Sequence, residues 1–222
     1  MQKVPEVTDY CQRCLSTERW DGNVVVMVVD ASFTSIGLNY FQTVVPNVEL
    51  FRQKFVHNRK IITFKDLVKA KETELEGVWK NKRSWHIAKS IASYLARLKT
   101  QMKINDRQVF IHWARNTKLE WWDKDPIGEI KGVGINTFQY LRMMGGVDTV
   151  MPDKIVKRVI NEILAEAGME IPSTDTDFVH CVHQMGIQYG YRPIELCWMT
   201  WLIQSESNLN RMQKYSHILS KI

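Results

Sequence analysis

The run Ile130-Lys131-Gly132-Val133-Gly134-Ile135-Asn136-Thr137 (IKGVGINT) sets two glycines around a valine in an otherwise helix-forming neighbourhood. Glycines at a helix junction allow a tight turn and the close approach of a second backbone. The amides that open the following helix then point outward, backed by the positive end of its dipole, so the turn can hold a phosphate without reading a base. Taken alone, such a turn also reads as an ordinary helix connection. Asp153 follows Pro152 and precedes the apolar periodicity of Ile155, Val156, Val159 and Ile160, the pattern of a helix N-cap. A carboxylate at that end of a helix is favoured in its ionised form. Cys11-Gln12-Arg13-Cys14 and His180-Cys181-Val182-His183 hold enough soft ligands for zinc on paper. Buried thiols and helix-face histidines explain the same letters, and no metal is expected there.

The elements that must position these groups read as helices. Thr63-Phe64-Lys65-Asp66 has the form of a capping box and starts one. From Ser84 the positions Ile87, Ile91, Tyr94, Leu95 and Leu98 recur at spacings of three and four, with Lys89, Arg97 and Lys99 between them: an amphipathic helix with a basic outer face. A further helix runs from the cap at Asp153 to a stop at Gly168, and Pro193 opens a last one carrying Leu196, Met199 and Leu202. Residues 127–130 and 137–144 read as the two helices flanking the glycine turn. The segment VVVMVV at 24–29 has the β-branched composition of a buried strand. With no second convincing strand to pair with, it reads as a fully buried helix.

The 222 residues can bury a real core as one large domain or two small lobes. Four cysteines, no apolar N-terminal signal and no membrane-length apolar run lead to the expectation of a non-membrane, cytoplasmic protein with free thiols, nucleoid-associated or nuclear according to its source. Net charge is +6, but residues 52–107 carry 15 lysines and arginines against 5 acidic residues, so the rest of the chain is net acidic. A concentrated basic region suits a polyanion and equally suits a solvated helical surface.

The longer run IKGVGINTFQYLRMMGGVDTVMPDKIVKRV resembles the helix-hairpin-helix, Gly/Pro loop and aspartate signature of the HhH-GPD superfamily of DNA base-excision glycosylases, the family of endonuclease III and the adenine mismatch glycosylase. The match is specific over residues 130–159. It continues more loosely through Ser32-Phe33-Thr34 and Trp79-Lys80-Asn81-Lys82, to about two thirds of the chain. The resemblance implies an all-α, two-lobed fold: a central lobe of residues 25–145 containing the hairpin, a second lobe of residues 1–24 plus 146–222, and an active site between them. It also favours the helical reading of residues 24–29.

The implied activity is excision of a damaged or mispaired base from double-stranded DNA by a monomeric enzyme that turns the nucleotide out of the stack. Asp153 is the implied catalytic carboxylate, stabilising the cationic sugar or activating water. Asp148, in Val147-Asp148-Thr149, imitates the family letters, but only Asp153 follows the loop proline with Val156 and Arg158 in register. Bifunctional relatives carry a lysine two residues after the second glycine. Here that position is Asn136, which implies a monofunctional enzyme that leaves an abasic site. Lys131, Gly132, Val133, Gly134 and Thr137 are the implied hairpin contacts to DNA. Lys80, Lys82 and Arg83 are further phosphate contacts, and Trp79 stands where a wedge would fill the gap left by the flipped base. No cofactor is required, although family hairpins often hold a monovalent cation. The family's four-cysteine iron–sulfur motif is missing, since Cys181 and Cys197 are the only cysteines of the C-terminal region. Two other readings are a non-catalytic hairpin DNA-binding protein and a glycosylase/lyase using another amine such as Lys131. A helical interaction protein with a chance GxG turn is a third.

Overall fold

Asn23 opens the helix on which much of the molecule packs. Its Oδ1 accepts from the amides of Val25 and Val26, each at 3.1 Å, and α2 (Val24–Thr34) follows with every residue from Val24 to Phe33 buried. The computed structural model describes residues 7–205, with side chains described as far as Trp201; residues 1–6 and 206–222, parts of the expected second lobe, lie outside the described residues. Among the described residues there is no strand, so the chain is all-α, and VVVMVV is helical despite its β-branched composition. Weak intrinsic helix propensity costs a few tenths of a kcal/mol per residue, which burial on all sides outweighs.

Ahead of α2 lies α1 (Val7–Leu15); after it come α3 (Val45–Phe51), with wide π-type turns on both sides, α4 (Phe64–Lys69) and α5 (Glu72–Glu76). The longest helix, α6 (Lys82–Met102), is followed by α7 (Asp106–Asn116), α8 (Ile135–Met144), α9 (Lys154–Glu166), α10 (Asp175–Tyr189) and α11 (Pro193–Ser205). Helix α2 packs on α6, α8 and α3, while α4 lies along α6; α1 packs on α11, which also carries α9 and α10. One contiguous apolar core runs through these contacts, from Val7 to Met199.

The sequence signals for helix starts appear as real caps. Thr63 and Asp66 form the reciprocal capping box of α4. Asn81 caps α6, whose Ile87, Ile91 and Leu95 are buried as their spacing requires. Gly168, at φ +67°, lies just past the end of α9.

One element differs from expectation. Residues 127–130 form turns, not the first helix of a hairpin. Asp125 is responsible: its Oδ1 takes the Ile127 amide at 2.8 Å and the indole N–H of Trp113 at 3.1 Å, and its Oδ2 takes the Thr117 hydroxyl at 2.8 Å. A carboxylate that bonds the backbone two residues on favours a turn over a helix.

The basic stretch also proves partly structural. Lys99 pairs with Asp106 at 2.8 Å, Arg52 with Asp21 and Glu49, while Lys89 and Arg107 donate to the carbonyls of Ala70 and Ser16. No helix among the described residues is long and apolar enough to cross a membrane.

Candidate active-site cavity

Asp153 is fixed from two directions. Upstream, the Gln139 side chain of α8 donates to the Thr149 hydroxyl at 2.8 Å and to the Val150 carbonyl at 3.2 Å, holding the loop against the helix. Asp148 accepts the Ile194 amide at 3.0 Å and so serves the start of α11. Downstream, Asp153 caps α9, its Oδ1 accepting from Ile155 at 2.7 Å and Val156 at 2.9 Å. Both bonds fall on Oδ1, so the cap does not consume Oδ2.

The capped carboxylate borders a cavity of about 970 Å³, together with Asn136, Gly134 and Thr137 from the start of α8, Lys154, and Asp175 at the start of α10. Its aromatic wall comes from Tyr40, Phe41, Trp122, Tyr140, Trp198 and Trp201. Asp148 is not among the described residues of this lining. Burial pushes the Asp153 carboxyl above its ordinary range; the two amides and Lys157 oppose that shift without cancelling it. The expectation that the helix end would favour the ionised form is therefore half right. The cap has that sign, but desolvation outweighs it.

Gly134, also in the lining, is the N-cap of α8 and offers no side-chain acceptor, so the amides opening the helix keep their donors. Open space surrounds the position a Cβ would take there. Gly132 is different: its φ is +101°, and a Cβ would lie 2.9 Å from Arg83 Nε. The turn thus rests on the first turn of α6, which places Arg83 beside Gly132. Lys131, Lys80 and Lys82 are exposed, with Lys82 paired to Glu76 at 3.3 Å, whereas Val133 and Thr137 are buried.

Trp79 is a correction. It is only 7% exposed and stacks on Phe33 at 4.5 Å and 10°, while its carbonyl accepts from the Trp85 indole at 2.7 Å. A ring committed to the core presents no wedge. Of the tryptophans preceding the turn, Trp113 is core, edge-on to Phe138; Trp121 is exposed under the Lys124 ammonium; and Trp122 reaches the cavity. The paper zinc site is not assembled: among the described residues no group of three or more His, Cys, Asp or Glu side chains stands ready to hold a metal. Cys11 and Cys14 are buried, and His183 instead contacts the Thr149 hydroxyl at 3.3 Å.

Two features of the site escaped the sequence. Lys154 is the one lysine or arginine among the described residues of the cavity lining, placed in the first turn of α9 where the helix dipole opposes a cation. Behind the aromatic wall lies a buried network. Arg19 and Asp30, both fully buried, meet at 3.4 Å; Arg19 Nη2 donates to the hydroxyls of Tyr40 and Tyr140 at 2.7 Å each, and both hydroxyls and the Trp20 indole reach Asp30 Oδ2 within 3.0 Å. The signal was legible. A single aspartate inside VVVMVVDASF needs a buried partner once that segment is a helix. No family model matches this chain, and neither curated proteins nor solved structures give a significant match.

Proposed function

We propose that the protein is a DNA base-excision glycosylase that draws a damaged or mispaired base out of duplex DNA into the cavity and hydrolyses its glycosidic bond. One observation carries the reading: the Asp153 carboxylate, the uncapped start of α8 and a broad aromatic wall border the same cavity. Each part has a task in that chemistry. The aromatic wall receives a planar ring that has left its stack. The amides after Gly134 and the side chains of Arg83 and Lys131 hold the backbone phosphates outside. Asp153 stabilises the cationic sugar as the C1′–N bond lengthens, or orients the attacking water.

Asn136 borders the cavity where bifunctional relatives would present an amine, so water is the acceptor and the product is an intact strand with an abasic site. The test is single-turnover excision on duplexes carrying uracil, hypoxanthine, 8-oxoguanine, a methylated purine, an oxidised pyrimidine or a mismatch, read before and after hot alkali. Breaks that appear only after alkali are expected for one class of base. No breaks on any duplex, with binding intact, would leave a non-catalytic DNA-binding protein. Breaks before alkali would require an amine in the cavity.

A further inference from the structure

Tyr40, Tyr140 and Trp198 all border the cavity, and all three are held from behind by one guanidinium. Arg19 bonds both phenols and lies over the rings of Tyr140 and Trp198, 5.3 and 5.2 Å from their centroids. Its own carboxylate partner comes from α2, Tyr140 from α8 and Trp198 from α11, so a single buried cation ties three helices of the cavity together. Burial works against that charge, yet the two phenols, Cys14 and Asp30 outweigh it and keep the guanidinium protonated. Burial, with Asp30 adding to it, raises both phenols far above their ordinary range against the pull of Arg19, so they remain neutral. The pairing is incomplete: Arg19 Nε and Asp30 Oδ1 are buried without a hydrogen-bond partner among the described residues.

The backbone that delivers Arg19 makes an independent case. Thr17, Trp20 and Asp21 have φ of +55°, +52° and +55°, and Thr17 is β-branched, the residue class for which this conformation is least tolerated. Left-handed residues persist only where their surroundings over-determine them, and they concentrate at functional sites. A buried ion pair is itself a poor source of stability beside apolar groups of the same volume. What strain and buried charge produce together is the fixed placement of the wall.

We infer that Arg19 and Asp30 are positioning residues for the cavity: by turning the hydroxyls of Tyr40 and Tyr140 inward they fix a wall that receives a flat heteroaromatic ring by its faces and edges, without hydrogen bonds from those phenols. The inference rests on the glycosylase reading for the identity of the ring, a nucleobase. The wall itself does not depend on it.

The test uses the full chain as Tyr40→Phe, Tyr140→Phe and the double variant Arg19→Met/Asp30→Asn, which removes both charges so that neither is stranded. Three quantities are measured: single-turnover excision of the base identified above, affinity for a duplex carrying a tetrahydrofuran abasic analogue, and ¹⁹F spectra of 3-fluorotyrosine-labelled protein. Positioning predicts that the folded double variant excises at least about tenfold more slowly, binds the abasic duplex within about twofold, and keeps the acid limb of its pH profile. The ¹⁹F lines of Tyr40 and Tyr140, assigned from the phenylalanine variants, should shift or broaden. Excision within about twofold of wild type per folded molecule would overturn the inference, as would a rate loss matched by an equal fall in abasic affinity. Should the double variant fail to fold, the two phenylalanine variants face the same criteria. If the wild-type protein excises nothing, the glycosylase reading fails separately and the ¹⁹F lines decide: unchanged lines in the variant overturn positioning, and displaced lines sustain it.

Discussion

Asp153 caps α9 and, in the proposed reading, also carries the chemistry; the two roles separate experimentally. Asparagine caps helices as well as aspartate does, so Asp153→Asn keeps the α9 start while removing a charge that burial disfavours. Thermal unfolding at neutral pH should be unchanged or higher, while excision falls on the order of 10³-fold and abasic affinity holds. Unaltered excision would remove the carboxylate from the chemistry. The pH dependence has two signs. Because the folded carboxyl is raised, the native state holds its proton more tightly than the unfolded chain does. Its contribution to stability is present below the ordinary carboxylate range and lost as pH rises through the folded value. Activity runs the other way, failing as pH drops through that same raised value, so the acid limb of the rate profile should lie above that of a solvated carboxylate and vanish as a feature in Asp153→Asn. Asn136→Lys places an amine in the cavity lining, and borohydride should then trap a covalent adduct with abasic DNA. An adduct already formed by wild type and abolished in Lys154→Gln would instead assign the amine to Lys154.

The glycine turn and α8 behave as one element with two unequal glycines. Gly134→Asp adds an N-cap to a helix start that lacks one, in open space, so stability should hold or rise by a few tenths of a kcal/mol. In the proposed docking the new charge would face phosphate, and affinity for every duplex should drop by about tenfold or more. Undiminished binding would show that DNA docks elsewhere. Gly132→Ala has the opposite balance: its φ of +101° and the nearby Arg83 Nε should cost about 1–3 kcal/mol, read as a lowered midpoint in urea. Helices are legible in the sequence where local chemistry decides them. The periodicity of α6, the capping box of α4 and the stop of α9 at Gly168 depend on residues within a few positions of each other. Helix α2 is reached only by elimination, since β-branched propensity points the other way and the lack of a partner strand, with the resemblance, is what favours a helix. Residues 127–130 mislead because four positions carry no period, and the Asx turn at Asp125 is what decides them. Trp79 misleads for a related reason: whether a tryptophan projects or stacks is settled by Phe33, 46 positions away. The α9 cap at Asp153 is legible from Pro152 and the apolar period after it, but its elevated carboxyl is a product of the packing around it.

At the scale of the whole molecule, charge surplus and core play separate parts. Lys99, Arg52, Lys89 and Arg107 serve the fold, so only some of the basic stretch is free to meet a polyanion. Replacing exposed Arg83 with Gln should reduce the slope of log affinity against log salt by about 0.9 for each phosphate that Arg83 neutralises, equally on every sequence, in a titration of duplex binding across salt. An unchanged slope would place Arg83 outside the interface. The core is continuous from α1 to α11, and one of its long-range links is the bond from Arg19 to Tyr140, 121 positions apart. That span bears on when the protein becomes itself. On the ribosome, Asp30 emerges beside Arg19 and Trp20 but long before Tyr140, and Trp198 comes later still, so the nascent α2 carries a carboxylate whose surroundings are only partly in place. Closing a loop of that length is among the slowest steps a small domain makes. A chain stopped short of α8 already holds Arg19, Trp20 and Tyr40 to meet Asp30 but lacks Tyr140 and Trp198, so it leaves the cavity wall unfinished and an apolar helix uncovered, a ready ligand for chaperones.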